Sequence, residues 1–170
     1  MENIPIRNST GSFHVIVESP RGSGVKFKYE PALGAIAFDC PLISGLVYPF
    51  DCGFVPGTRA ADGDPVDVLV LSNQPTFPGV VITCRVLGLL RLKQKRRRQK
   101  TWQRNDRLVA VPIRAARFEH MRHICDLSRH QRNEPEQFFL SAILFEDKQA
   151  QILGWGGVDE VEKLVDELAA

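Results

Sequence analysis

The chain has 170 residues, of which 44% are hydrophobic and 25% charged, the balance of an ordinary globular protein. This length suits one domain with a substantial core, so we predict a single domain over residues 1–170. No apolar run approaches the roughly 20 residues that cross a bilayer, and the first residues lack the basic and apolar parts of a signal peptide. We therefore expect a cytoplasmic protein. The formal net charge of +2 indicates no particular partner.

The first two-thirds of the chain is rich in short β-type segments. They alternate apolar and polar residues or are rich in β-branched residues, and Gly, Pro and Asp separate them. The predicted strands are residues 13–17, 26–30, 35–38, 66–71, 80–90 and 108–112. Many short strands joined by such turns are typical of a small closed or nearly closed barrel.

The last third is predicted to be helical. Residues 134–146 are rich in helix formers, with Asn133 as a plausible cap and Pro135 in the first turn. A second helix is indicated by apolar residues at helical spacing, which we interpret as core packing. Its apolar residues are Val158, Val161, Leu164, Val165 and Leu168. The predicted fold class is thus α+β and mainly β.

An acidic loop is the most informative stretch. Residues 62–67 read Asp-Gly-Asp-Pro-Val-Asp and lead directly into an apolar run. Gly63 and Pro65 disfavour a helix, so the three carboxylates lie on a tight loop before a strand. Crowded carboxylates repel one another, and a hard divalent cation such as Mg²⁺ relieves that repulsion. A cation or phosphate site is therefore favoured over an idle acidic turn.

This loop and five further segments resemble the soluble, Mg²⁺-dependent inorganic pyrophosphatases of family I. The 62–68 stretch is similar to the signature of that family residue for residue. The other matching segments follow in the same order along the chain. They are residues 17–23, 26–34, 48–54, 108–112 and 154–155.

The resemblance implies a five-stranded, OB-like β-barrel with flanking C-terminal helices. It also implies that several Mg²⁺ ions, or Mn²⁺ instead, clamp pyrophosphate and activate a water for its hydrolysis. Carried over to this chain, Asp62, Asp64, Asp67 and Glu18 would be metal ligands, and Asp64 would serve as the catalytic base. The residues expected to bind phosphate are Lys26, Tyr48 and Arg107. A homo-oligomer, a hexamer in the bacterial style, is expected as well.

Several positions depart from the family pattern toward positive charge or loss of polarity. A site carboxylate is replaced by Lys28, a phosphate-binding arginine by Cys40, and a tyrosine by Cys52. A Tyr-Lys pair of the family corresponds to residues 142–143, which are Ala-Ile. Because Lys28 repels cations, we expect at least two metal positions to be weak or empty.

The Asp-x-Lys element of the family corresponds to Asn105-Asp106-Arg107. Either Asn105 has replaced a metal ligand, or Asp106 serves from a register shifted by one residue. A shift of one residue on a strand points a side chain to the opposite face, so loss of the ligand is favoured.

Three functions are compatible with these features. Impaired hydrolysis of pyrophosphate is favoured over full activity, and a catalytically inactive homologue that binds an anion is the alternative. The third is nucleic-acid binding by the basic run at 91–100, which holds seven cations and no acid and is followed by Trp102. A solvated turn between two strands is the favoured interpretation of that run.

Overall fold

The computed structural model describes residues 4–60, 63–143 and 146–169. Within these ranges it contains nine strands, two α-helices and two short 3₁₀ helices. The strands are β1 Phe13–Ser19, β2 Val25–Glu30, β3 Ala35–Pro41, β4 Asp51–Val55, β5 Val66–Val70, β6 Val81–Arg96, β7 Gln103–Arg104, β8 Arg107–Pro112 and β9 Lys148–Gly156. The α-helices are α1 Arg129–Ala142 and α2 Val158–Leu168, and the 3₁₀ helices are Ala116–Phe118 and Ile124–Asp126.

Five strands close into a ring, which confirms the predicted five-stranded barrel. The ring runs β1-β4-β5-β8-β6 and closes where β6 pairs with β1. Its pairings are antiparallel except for β5 with β8, which is parallel. The second half of β6 continues beyond the ring and pairs with β9, while β2 and β3 form a separate hairpin.

The barrel interior is filled by the apolar face of each strand and is closed by α2. Val15, Val68 and Leu108 are fully or almost fully buried in one core cluster. Val161 and Val165 of α2 join that cluster with no exposed surface. The apolar stripe predicted for the final helix is therefore confirmed as core packing.

The predicted bounds of the first helix are wrong. The helix begins at Arg129 rather than at residue 134, and it ends at Ala142. Ser128 is the cap, because its hydroxyl accepts from the Gln131 N–H at 3.3 Å while the Gln131 amide oxygen accepts from the Ser128 N–H at 2.9 Å. This reciprocal capping box fixes the start, so Pro135 lies buried inside the helix. Neither α-helix of the described chain is long and apolar enough to span a membrane.

Three strand features were also missed or cut short. β4 was not predicted, and β9 occupies part of the region that was predicted as helical. β6 extends through the first part of the basic run to Arg96, because β9 supplies partners as far as the pair Arg96 and Lys148. The strand pairing therefore overrides the polar composition of this segment.

Candidate active site

A cavity of about 220 Å³ lies where β1, β2, β5 and β8 meet the side of α1. Four carboxylates and four cations are among the side chains that line it. The acids are Glu18, Asp64, Asp67 and Glu146, and the cations are Lys26, Lys28, Arg107 and Lys148. The polar lining also includes Ser19, Tyr48, Gln94 and Asn105.

Thr58 positions the acidic loop. Its buried hydroxyl donates to the Val55 carbonyl at 2.7 Å and accepts from the Val66 N–H at 2.9 Å, which ties the end of β4 to the start of β5. Asp64 lies on the loop between these strands, and Asp67 is the second residue of β5. Asp62, predicted to be a metal ligand, lies outside the described residues.

Glu18 is the most buried acid of the cavity. Its Oε1 accepts a hydrogen bond from the Tyr29 N–H at 2.6 Å. Burial raises the pKa of Glu18 to about 7, although this hydrogen bond lowers it, and the charges of Asp67 and Asp64 add to the rise. Burial first, and the neighbouring negative charges second, therefore make this carboxyl harder to ionise than an ordinary glutamate.

Two of the carboxylates are paired with cations of this chain. The Lys28 ammonium lies 2.8 Å from Asp64 Oδ2. The Arg107 guanidinium donates to Asp67 and to the Asn105 side-chain oxygen. Burial opposes the charge of Lys28, but the bond and charge of Asp64 raise the pKa of Lys28 above its usual value. Both acids therefore face positive charge supplied by the protein itself.

The phosphate-binding candidates Lys26 and Tyr48 also reach the cavity. Lys26 is held 2.9 Å from Asp39, and this partner raises the pKa of Lys26 against the opposing effect of burial. The Tyr48 ring packs 4.9 Å from the Phe138 ring of α1. Burial raises the pKa of Tyr48 well above its usual range, so its hydroxyl stays protonated and can donate a hydrogen bond.

Asn105, and not Asp106, faces the cavity. Asp106 points elsewhere, because its Oδ1 accepts from the Leu92 N–H and from Arg104 Nε, each at 3.0 Å. Of the two alternatives left open by the sequence, Asn105 is therefore the residue at the cavity, while the loss of a metal ligand there stays a prediction. Residues 142 and 143 also line the cavity, and so does Cys52, whose thiol pKa is raised by burial.

Sequence reasoning missed three polar groups of this cavity. Gln94, Glu146 and Lys148 line it from the region of the β6–β9 pair. The sequence signal was the short alternation of polar and apolar residues from Gln149 to Ile152. It was overlooked because the whole of the last third was interpreted as helix.

The carboxylates of the cavity are suitable ligands for a hard divalent cation. They are not arranged as a complete coordination site. Glu18, Asp64 and Asp67 supply the carboxylate oxygens that such ions bind. Among the described residues, however, no group of three His, Cys, Asp or Glu side chains is gathered closely enough to hold an ion. Ion binding by Asp64 and Asp67 therefore requires that Lys28 and Arg107 share or release them.

A five-stranded barrel with carboxylates and cations around one cavity defines the class of protein. A sequence profile described as inorganic pyrophosphatase matches residues 15–170. The inorganic pyrophosphatase of Synechocystis sp. is 38% identical over 167 residues, which cover 98% of this chain and 95% of that protein. The inorganic pyrophosphatase of Geobacillus stearothermophilus is 35% identical over 154 residues, which cover 91% of this chain and 90% of that protein.

A solved structure gives the same result. The crystal structure of inorganic pyrophosphatase from Thermus thermophilus superposes with a TM-score of 0.89 at 33% identity, covering 99% of this chain and 95% of that one. The chain belongs to the inorganic pyrophosphatase family.

Proposed function

We propose that this protein hydrolyses inorganic pyrophosphate to two phosphates with the help of Mg²⁺. The observation that supports this most directly is the meeting of Glu18, Asp64 and Asp67 with Lys26 and Arg107 around one cavity. An anhydride of two phosphates carries several negative charges, and its hydrolysis needs both cations and groups that manage a proton. The alternative of a protein that only binds an anion gains no support from its relatives, which are named as pyrophosphatases.

The cations and the phenol of the cavity would bind the substrate. Lys26 and Arg107 would pair with phosphate oxygens, and Arg107 can do so with two parallel N–H groups. Tyr48 would donate its hydroxyl proton in a hydrogen bond, because its raised pKa keeps it neutral. Together they would hold the anhydride against the acidic loop and fix the orientation of the phosphorus to be attacked.

Asp62, Asp64, Asp67 and Glu18 are the proposed metal ligands. When bound, Mg²⁺ or its alternative Mn²⁺ would lower the pKa of a water and neutralise charge on the phosphate oxygens. Asp64 is also the proposed acceptor of the water proton.

Lys28 should reduce the number of ions that bind. At a separation of roughly 6 Å and an effective dielectric constant near 20, one positive charge repels a dication by about 5 kcal/mol as an upper bound. Screening lowers this value, but even about 3 kcal/mol weakens binding roughly a hundredfold. We therefore propose hydrolysis that is slower than usual and that uses fewer tightly bound ions.

Phosphate release from pyrophosphate, measured across a titration with Mg²⁺ and then Mn²⁺, tests this function. We expect metal-dependent release and a loss on the order of a hundredfold in kcat/KM for Asp67→Asn. Asp159→Asn is the matched control, since Asp159 is an exposed acid of α2. Circular dichroism of Asp67→Asn would establish that it folds.

Two results would contradict these proposals separately. Release no faster than from pyrophosphate without protein, with either metal, would refute hydrolysis. Turnover above about 10 per second would confirm hydrolysis and refute its impairment.

We also propose a homo-oligomer, a hexamer by resemblance, and a cytoplasmic location. Large apolar side chains remain exposed in the single chain, among them Leu33, Phe38 and Phe77, and a subunit contact would cover such surface. The four cysteines are free thiols, which suits a reducing compartment. Light scattering coupled to gel filtration would measure the subunit number.

A further inference from the structure

Only part of the basic run is a solvated turn, because its first part lies in β6. This half of β6 pairs with β7 along one edge and with β9 along the other. Lys93 lies opposite Arg104 of β7 and Gln151 of β9, and Lys95 lies opposite Gln149 of β9. Directly opposite residues of an antiparallel pair, and residues two apart on one strand, project to the same side of a sheet. These five side chains therefore share one surface, which we call the basic face.

Trp102 adds an aromatic ring to the basic face. The register of β6 with β7, continued by one pair, puts Trp102 across from Lys95. The ammonium groups of Lys93 and Lys95 each lie 5.0 Å from the centroid of its ring, a distance at which cation–π contacts are favourable. The tryptophan is nevertheless 38% exposed. The ring therefore holds the two lysines in place and still presents an aromatic surface to the solvent.

The charge of the two lysines is not cancelled by acids. In the described part of the chain neither Lys93 nor Lys95 forms an ion pair, whereas Arg104 contacts Asp106 at 2.5 Å. The turn at 96–100, which follows β6, is exposed and carries further cations and no acid. Positive charge therefore extends from the basic face onto this turn.

We propose that the basic face binds a single-stranded nucleic acid. Lys93, Lys95 and the exposed turn would contact successive phosphates of the strand, and Trp102 would stack on a base. Gln149 and Gln151, which are exposed, carry amide groups that both donate and accept hydrogen bonds, as the edges of bases require. Phosphates, rings and polar base edges are thus all matched by groups of this one surface.

This binding is a function separate from the proposed hydrolysis. Gln94, which lines the cavity, lies between Lys93 and Lys95 on β6. Successive side chains of a strand point to opposite faces of the sheet, so the basic face lies on the other side of β6 from the cavity. A strand bound there need not enter the cavity, and loss of either function leaves the other testable.

A single strand fits the basic face better than other polyanions do. Inorganic polyphosphate and acidic peptides carry the negative charge that the lysines attract, but polyphosphate has no ring to stack on Trp102, and acidic side chains have none either. A duplex keeps its bases stacked on one another, so the indole could not reach the plane of a base without unpairing. Unpaired bases next to phosphates are shared by RNA and DNA strands, and the test therefore includes both.

Fluorescence anisotropy of labelled oligouridylate and oligothymidylate, each ten nucleotides long, tests the proposal in EDTA over a range of salt concentrations. We expect the affinity of the native protein to fall steeply with salt for at least one of the two strands. Lys93→Gln/Lys95→Gln should reduce the slope of log K against log salt by about 1.4, because each phosphate contact of a single strand contributes about 0.7. Trp102→Leu should instead weaken binding roughly tenfold with the slope unchanged, and Trp102→Phe should retain most of the affinity.

Arg114→Gln/Arg117→Gln is the matched control, because it removes two exposed positive charges far from this run in sequence. Thermal melts establish that all variants are folded. Absence of binding to both strands at about 50 mM salt, or an equal change of slope in both double variants, would overturn the proposal. Native affinity in Trp102→Leu, or displacement of the strand by polyphosphate or polyglutamate at equal charge concentration, would overturn it as well, since the surface would then attract any polyanion.

Discussion

At the scale of single residues, the most consequential feature of the cavity is that its carboxylates form ion pairs with cationic side chains of the protein. Lys28 contacts Asp64 at 2.8 Å, and Arg107 contacts Asp67. A fixed ammonium neutralises one charge without a free ion, whereas a dication neutralises two. We therefore expect the acidic loop to be stable without metal and to bind metal less tightly.

Reversal of the charge at Lys28 tests this balance. We expect Lys28→Glu to bind Mg²⁺ at least tenfold more tightly, because it removes a repulsion and adds a carboxylate near Asp64. The same variant should melt at a lower temperature in EDTA, since like charges then meet in the cavity, and should be stabilised more by Mg²⁺ than the native protein. Calorimetry and thermal melts measure the two effects.

The control is Lys163→Glu, which makes the same change of charge on the exposed face of α2. If Lys163→Glu and Lys28→Glu shift Mg²⁺ affinity equally, long-range charge rather than the contact with Asp64 determines ion binding. An unchanged affinity in Lys28→Glu would remove the argument for fewer ion sites.

At the scale of elements, β6 organises the molecule. Its 16 residues close the barrel by pairing with β1 and β8, and its second half pairs with β9. This extension carries Gln94 to the cavity and places Lys93 and Lys95 over the Trp102 ring. One strand therefore connects the barrel core to the wall of the cavity.

The contact between α1 and β9 fixes one wall of the cavity. Trp155 Nε1 of β9 donates to Glu136 Oε1 of α1 at 2.6 Å. Glu136→Ala leaves this partly buried N–H without its acceptor, so we expect a loss of about 1–2 kcal/mol in the free energy of unfolding. Urea denaturation measures it, and a higher KM for pyrophosphate should accompany it.

Glu134→Ala is the control for this contact, because Glu134 is exposed on the same helix two residues earlier. A similar loss in both variants would mean that helix propensity or charge, rather than the indole contact, accounts for the effect.

The sequence predicted the local features of this fold better than the long-range ones. β1 and β5 were found because their apolar patterns are strong and fully buried on one side. β9 was missed because its alternation is short and lies in a region interpreted as helix, and its pairing with β6 is a long-range contact. The start of α1 was misplaced because Ser128 and Gln131, which form the capping box, were not recognised as a pair.

For the candidate site too, the sequence predicted local features better than contacts between distant residues. The acidic loop was predicted from adjacent residues, and the residues that the resemblance supplied meet at one cavity wherever the structure describes them. The pairing of Lys28 with Asp64 joins positions 36 apart in sequence, so it required the folded chain. The contribution of Lys148 likewise depended on the position of β9.

At the scale of the whole molecule, stability depends on one closed core. The ring of five strands leaves none of its members as a free edge, and α2 covers one end of it. Cys84 of β6 lies inside this core with no exposed surface. Its thiol can react only when the barrel opens, so it reports on the stability of the entire ring.

Alkylation of the native protein should therefore spare Cys84. Burial, assisted by the charge of Asp51, raises the pKa of Cys84 to about 12, so thiolate is absent at pH 8 and access is blocked as well. We expect Cys84 to react at least roughly a thousandfold more slowly than exposed Cys125, as followed by mass spectrometry of peptides. Comparable rates at the two cysteines would mean that the barrel opens locally rather than as one unit.

The raised pKa of Cys84 makes the free energy of unfolding sensitive to alkaline pH. Between the ordinary thiol pKa near 8.5 and about 12, the folded protein retains the Cys84 proton that the unfolded chain has lost. The folded state then binds more protons than the unfolded state, so the free energy of unfolding falls as pH rises through this window. Cys84→Ala should show a weaker decline between pH 9 and 11 in urea denaturation, although its smaller side chain lowers stability at pH 7. A decline as steep as that of the native protein would assign the alkaline sensitivity to other groups.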